Sequence, residues 1–231
     1  MAQAKKHKRK IQIMKRKQKI LFTFAFVALT AFALWTLALK ITDLRPIGPQ
    51  GSEIGFAALN KSFHELTGVH MSLYAITDWL GLVPIAGAGC FAILGLYQWI
   101  TRKSVLKVDR DILILGGFYL AVIALYLFFE EFPINYRPIL INGYLEASYP
   151  SSTTLLTLCV MPTTIIQLNA RIKNRVLKQA VILVLSLFTL FMVVGRLVSG
   201  VHWLSDIVGG ILLSAGLVFL YCALCPKLLN R

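Results

Sequence analysis

Six apolar runs, each close to the length that crosses a bilayer, constrain this 231-residue chain more than any other feature. They are Leu21–Leu39, Trp79–Ile100, Ile112–Phe129, Ser151–Leu168, Ala180–Gly195 and Leu204–Leu224. A helix needs about 20 apolar residues to span the hydrocarbon layer. Such runs leave no backbone donor or acceptor free only if they are helical. The expected fold is therefore all-α, a polytopic bundle of six transmembrane helices. Hydrophobic residues make up 57% of the chain, far above a water-soluble domain.

The charges orient the bundle. Nine of the 24 Lys and Arg fall in the first 19 residues. Arg102, Lys103, Lys107 and Arg110 follow the second run, Arg171, Lys173, Arg175 and Lys178 follow the fourth, and Lys227 and Arg231 follow the sixth. With both termini cytoplasmic, all of these lie inside, and only Lys40, Arg45, Lys61, Arg137 and Arg196 lie outside. A basic tail directly before an apolar run fits anionic lipid head groups, so nucleic acid is not expected as a partner despite the net charge of +14. The first run is longer than a signal-peptide core, and no small-x-small cleavage site follows, so it reads as an uncleaved span.

The organisation expected is a basic cytoplasmic tail at 1–20, a first span with an outer interfacial segment at 21–78, a membrane core at 79–224 and a cytoplasmic C-terminus at 225–231. Ile54, Leu59, Phe63 and Leu66 recur at near-helical spacing, which predicts a short interfacial helix over 53–66. His64 and His70 read as packing residues. Cys90, Cys159, Cys222 and Cys225 lie in or beside apolar runs and read as free thiols, the C-A-L-C at 222–225 included.

Polar residues collect on the outer face. Arg137 and Pro138 follow the third span, Pro150, Ser151, Ser152 and Thr153 open the fourth, Arg196 ends the fifth, and His202 and Asp206 lead into the sixth. On a helix, His202 and Asp206 would share a face one turn apart. Ionisable groups in a membrane are costly and mark function. Two guanidinium groups suit phosphate oxygens, and the start of a helix at Ser151–Ser152 offers unpaired N–H groups to an anion.

This pattern resembles the type 2 phosphatidic acid phosphatase superfamily of lipid phosphatases and haloperoxidases, whose motifs are K-x6-R-P, P-S-G-H and S-R-x5-H-x3-D. The third motif reads G-R-L-V-S-G-V-H-W-L-S-D from Gly195 to Asp206, with Gly195 in place of Ser. The first keeps Arg137 and Pro138, and the second keeps Pro150 and Ser151. The resemblance covers roughly residues 79–224. It implies a membrane phospholipid or polyprenyl phosphate or diphosphate as substrate, hydrolysed at the outer leaflet of a plasma membrane, a bacterial one by the compact size. His202 would form a phosphohistidine, with Asp206 orienting it. Arg137, Arg196 and the segment Ser151, Ser152, Thr153 would hold the phosphoryl group. The resemblance implies no metal and no other cofactor.

Two positions depart from the pattern. Glu130 stands where the family has a phosphate-binding Lys, and Thr153 where it has the His that protonates the leaving group. A diphosphate leaving group needs little protonation, which would favour a lipid diphosphate. Alternatively Glu146, Glu130 or Glu131 replaces the missing acid, with Tyr136 and Tyr149 as weaker choices. A Glu at the site also allows head-group transfer from a phosphodiester. The remaining alternative is a protein that binds phospholipid, or takes part in its transport, without turnover.

Overall fold

The computed structural model describes residues 2–225. The expected C-terminal segment at 226–231, with Lys227 and Arg231, lies outside the described residues. Eight α-helices follow in order: α1 Ala2–Ile41, α2 Ala57–Thr67, α3 Met71–Leu80, α4 Leu82–Arg102, α5 Arg110–Glu131, α6 Ser152–Arg171, α7 Arg175–Val198 and α8 Leu204–Leu224. No strand forms among the described residues, only isolated bridges. Six segments are long and apolar enough to cross a membrane: His7–Ile41, Met71–Arg102, Arg110–Glu131, Ser152–Arg171, Arg175–Val198 and Leu204–Leu224. The protein is thus the all-helical, six-span bundle that the apolar runs imply.

Helices α1, α5, α6 and α7 are longer than their runs, because polar flanks continue the helix. The basic segment of residues 5–19 continues α1 as one helix with the first span. The second segment joins α3 to α4, which meet at Gly81, whose N–H bonds back to the carbonyls of Thr77 and Asp78.

Helices α6 and α8 form the centre of the bundle, with half of each apolar window buried. Small residues let their neighbours approach. A Cβ added to Gly216 would meet Leu29 of α1 at 2.6 Å. One half of the core joins Val122 and Phe129 of α5, Leu155 and Cys159 of α6, and Leu213 and Leu217 of α8. The other half joins Phe91, Val108, Ile112, Leu115, Tyr221 and Cys225. Arg171 pairs with the buried Asp111 at 2.9 Å, which fastens α6 to α5. The four cysteines are free thiols.

The interfacial helix forms as α2, starting four residues later than its pattern because Phe56 adopts a left-handed backbone, φ 50°, at the N-cap. Its buried Asn60 donates to Gly55 O at 2.8 Å and Ser205 Oγ at 2.9 Å, and accepts from Ser205 N at 3.1 Å. That side chain fixes α2 to the first turn of α8, over one end of the bundle.

Candidate active site

Three chain segments meet at this end: the loop 132–151, the end of α7, and the turn 199–203 that leads into α8. The turn is shaped by Gly200, whose φ of 71° is one L side chains rarely adopt, and whose added Cβ would lie 2.0 Å from Gly68 O. The turn places His202 before α8 rather than on it. The expectation that His202 and Asp206 share a helical face is therefore corrected: Trp203 is the N-cap, and Asp206 is the third residue of the helix, its carboxylate accepting from Trp203 N at 2.9 Å.

The loop 132–151 folds back on itself. Asn142 and Gly143 both have positive φ, 51° and 83°, between the bridged Ile141 and Tyr144. This is the two-residue turn that Asn-Gly favours. Arg137 N donates to Glu146 O at 3.1 Å, and Ser148 N to Asn135 O at 2.9 Å. The returning limb thus brings Ser148 beside His202. Trp203 Nε1 donates to Tyr136 O at 2.8 Å and ties the loop to the turn.

His202 and Asp206 do not touch. The nearest approach, Nδ1 to Oδ2, is 3.8 Å. Ser148 Oγ stands between them, 3.1 Å from Nδ1 and 2.5 Å from Oδ2. A hydroxyl has one proton. Ser148 gives it to the carboxylate and so accepts from Nδ1–H, which leaves Nε2 with its lone pair. That lone pair faces Arg137 Nη1 at 3.3 Å. Asp206 is fully buried and is reached by further donors, Asn135 Nδ2 at 3.3 Å and Ser205 Oγ at 3.5 Å. A carboxylate offering only acceptors fits that surrounding. Burial, then the charges of Arg137 and Arg196, hold the His202 imidazole well below the usual histidine range, so it is neutral.

Arg196 ends α7 and is only 1% exposed. It meets Asp78 Oδ1 at 3.6 Å and Thr77 Oγ1 at 3.4 Å, and its guanidinium lies 4.9 Å from the Tyr74 ring centroid. Arg137 faces the same ring at 6.0 Å. Tyr74 is thus the spacer between the two guanidinium groups, which suits a cation over an aromatic face. Arg196 Nε is buried without a hydrogen-bond partner. The fold therefore brings four of the expected residues together: Arg137, Arg196, His202 and Asp206.

The other expected residues divide. Ser151 caps α6, but its N–H is not open to an anion, because it donates to Asp206 O at 3.1 Å. Its hydroxyl is buried without a partner. Ser152 and Thr153, in the first turn of α6, line a cavity of about 530 Å³ with Asp78 at its mouth and the apolar faces of α4 and α5 along its walls. Of the acids, Glu146 pairs with Arg137 at 3.0 Å. Glu130 shares a crevice with Ser148 and Ser152 and lies close enough for its charge to act on Arg137 and Glu146. Glu131 is exposed at the end of α5. Tyr149 is turned away, its hydroxyl 2.7 Å from Thr36 of α1, and burial pushes it above the usual tyrosine range. No cluster of His, Cys, Asp and Glu that would hold a metal occurs among the described residues.

Sequence reasoning missed Ser148, Asn135, Tyr74, Thr77 and Asp78. The Asn-Gly pair at 142–143 signals the turn that delivers Ser148. Nothing in the local sequence of α3 signals that it packs against α7 at the site.

The structure is a six-span helical bundle of the integral membrane class, with a buried His–Ser–Asp chain beside two arginines at one end. Residues 117–229 match the model of the PAP2 superfamily, which supports a membrane member of that superfamily. Among solved structures, it is similar to a transmembrane PAP2-type phosphatidylglycerolphosphate phosphatase from Bacillus subtilis, at 18% identity over 86% of this chain and 94% of that one, with a TM-score of 0.48. No curated protein matches the chain.

Proposed function

We propose that the protein is a lipid phosphatase that cleaves a phosphate ester or anhydride of a membrane lipid through a phosphohistidine on His202. The observation that carries this reading is the imidazole itself: neutral, tied at Nδ1, with the Nε2 lone pair directed at a guanidinium. A phosphate bound by Arg137 and Arg196 would put phosphorus where Arg137 now meets Nε2. Attack forms the Nε2–P bond as the P–O bond to the leaving group breaks, and the cationic ring is stabilised through the Ser148 hydroxyl by the carboxylate of Asp206, the positioning residue. The arginines stabilise the charge on the transferring oxygens. Water then attacks phosphorus and frees the histidine.

Thr153 cannot protonate a leaving group. Of the expected acids, Glu146 lies against Arg137 and would have to leave that ion pair to act as the proton donor. The apolar cavity beside Ser152 and Thr153 would take the lipid chain, with residues 79–224 as the core of the enzyme. The charge distribution favours an active site on the extracytoplasmic face of a plasma membrane, with both termini inside.

Phosphate release from undecaprenyl diphosphate, phosphatidylglycerol phosphate and phosphatidic acid in detergent tests the reading. Turnover of at least one, lost in His202→Ala, supports it. No turnover of any lipid across a range of pH would favour a protein that binds lipid without cleaving it.

A further inference from the structure

Three carboxylates surround the two arginines. Glu146 pairs with Arg137 at 3.0 Å, Asp78 with Arg196 at 3.6 Å, and Glu130 lies within electrostatic reach of both Arg137 and Glu146. Glu146 also acts on Arg196. With His202 neutral, this ring carries more negative than positive charge before any ligand arrives. A phosphate that takes the guanidinium groups displaces Glu146 and Asp78 from them. Both displaced carboxylates, 40% and 57% exposed, then stand beside the bound anion. Two or three negative charges on the ligand would be repelled by them.

We infer that the phosphate recognised here is a diester whose second substituent ends in an ammonium group, the phosphate seating on Arg137 and Arg196 and the ammonium on Glu146 and Asp78. This rests on the reading that His202 attacks a lipid phosphate at the same site, and puts a diester in place of the monoesters and diphosphates as its substrate. The ligand exchanges both ion pairs at once, so Arg137, Arg196, Glu146 and Asp78 all keep a counter-charge. Its phosphate carries one negative charge, and the ammonium offsets it. Arg196 Nε, buried without a hydrogen-bond partner, is the donor that the phosphate would satisfy. The carboxylates at the mouth are exposed enough to meet a hydrated cation, and the cavity that begins at Asp78 takes the lipid chains on the other side.

The test compares phosphatidylethanolamine with phosphatidylglycerol, diesters of the same diacylglycerol that differ in the ammonium group. Short-chain forms are titrated against the full-length His202→Ala protein in detergent, so that binding is read without turnover. Tighter binding of phosphatidylethanolamine by roughly fivefold or more is expected, and Glu146→Gln combined with Asp78→Asn removes that preference while leaving phosphatidylglycerol bound at least as well. Equal affinities, or a preference for phosphatidylglycerol, overturn the inference. So does a preference that survives the double substitution. Turnover by the unsubstituted protein is measured separately: a binding preference without turnover contradicts the phosphatase reading alone, and turnover of anionic lipids without the preference contradicts this inference alone.

Discussion

Nδ1 of His202 and the Asp206 carboxylate are held 3.8 Å apart, beyond a hydrogen bond, and the Ser148 hydroxyl closes the gap. The carboxylate therefore acts on the imidazole through a side chain from a different part of the chain. The loop 132–151 is as much a part of the site as α8, since it supplies Arg137, Glu146 and Ser148.

Removing that hydroxyl disconnects the pair. Ser148→Ala is expected to lower kcat about 10–100-fold with KM little changed, the usual effect of losing a group that orients a reacting residue. Asp206→Asn in the Ser148→Ala background should cost less than it does alone, because both substitutions break one chain. Additive losses in kinetic measurements on all four proteins would show that Asp206 acts without Ser148.

The pH dependence follows from the depressed titration of His202. Activity needs the neutral ring, so its acid limb should lie well below the usual histidine range, and Arg137→Gln, which removes one of the causes, should move that limb upward. Stability changes in the same direction. Below about pH 6.5 an unfolded chain protonates this histidine while the folded one does not. The stabilisation is thus complete above that pH and is lost as pH falls toward the folded value. Thermal midpoints and initial rates measured over the same pH series check both statements.

Gly200 permits the turn that sets His202. Gly200→Ala combines a strained backbone with a clash against Gly68 O and is expected to destabilise by at least about 2 kcal/mol, seen as a lower thermal midpoint in detergent. Activity should fall with it. Gly116→Ala is the control, since a Cβ there meets nothing within 4 Å.

Thr153→His puts a titratable group where the lipid phosphatases of this superfamily carry one. Substrates with an alcohol leaving group should gain about tenfold or more in rate, and diphosphates little, because general acid catalysis matters most for a basic leaving group. Equal gains on both kinds of lipid would contradict the account of the missing acid.

Much of this was legible in the residue order. Six apolar runs and the distribution of Lys and Arg define the bundle, because a bilayer leaves the backbone no alternative to a helix. That Arg137, Arg196, His202 and Asp206 gather at one end of the bundle could be read from topology alone. What could not be read was the contact between segments. Ser148 is an isolated serine without periodicity, and its place depends on a loop that turns at Asn142–Gly143. Asp78 and Tyr74 lie on a helix whose pattern says only that it is apolar on one side. The helical His–Asp pair was misread because spacing of four residues does not reveal that Gly200 breaks the chain direction two residues before His202.

The most direct measurement is covalent trapping. The full-length protein is mixed with a lipid labelled with ³²P at the transferring phosphate, quenched in alkali and separated from lipid, and the bound label is mapped. Label that is stable in alkali, released by acid, located on His202 and absent from His202→Ala is the predicted result. Turnover that proceeds without such label, or label that persists in His202→Ala, would contradict His202 as the nucleophile.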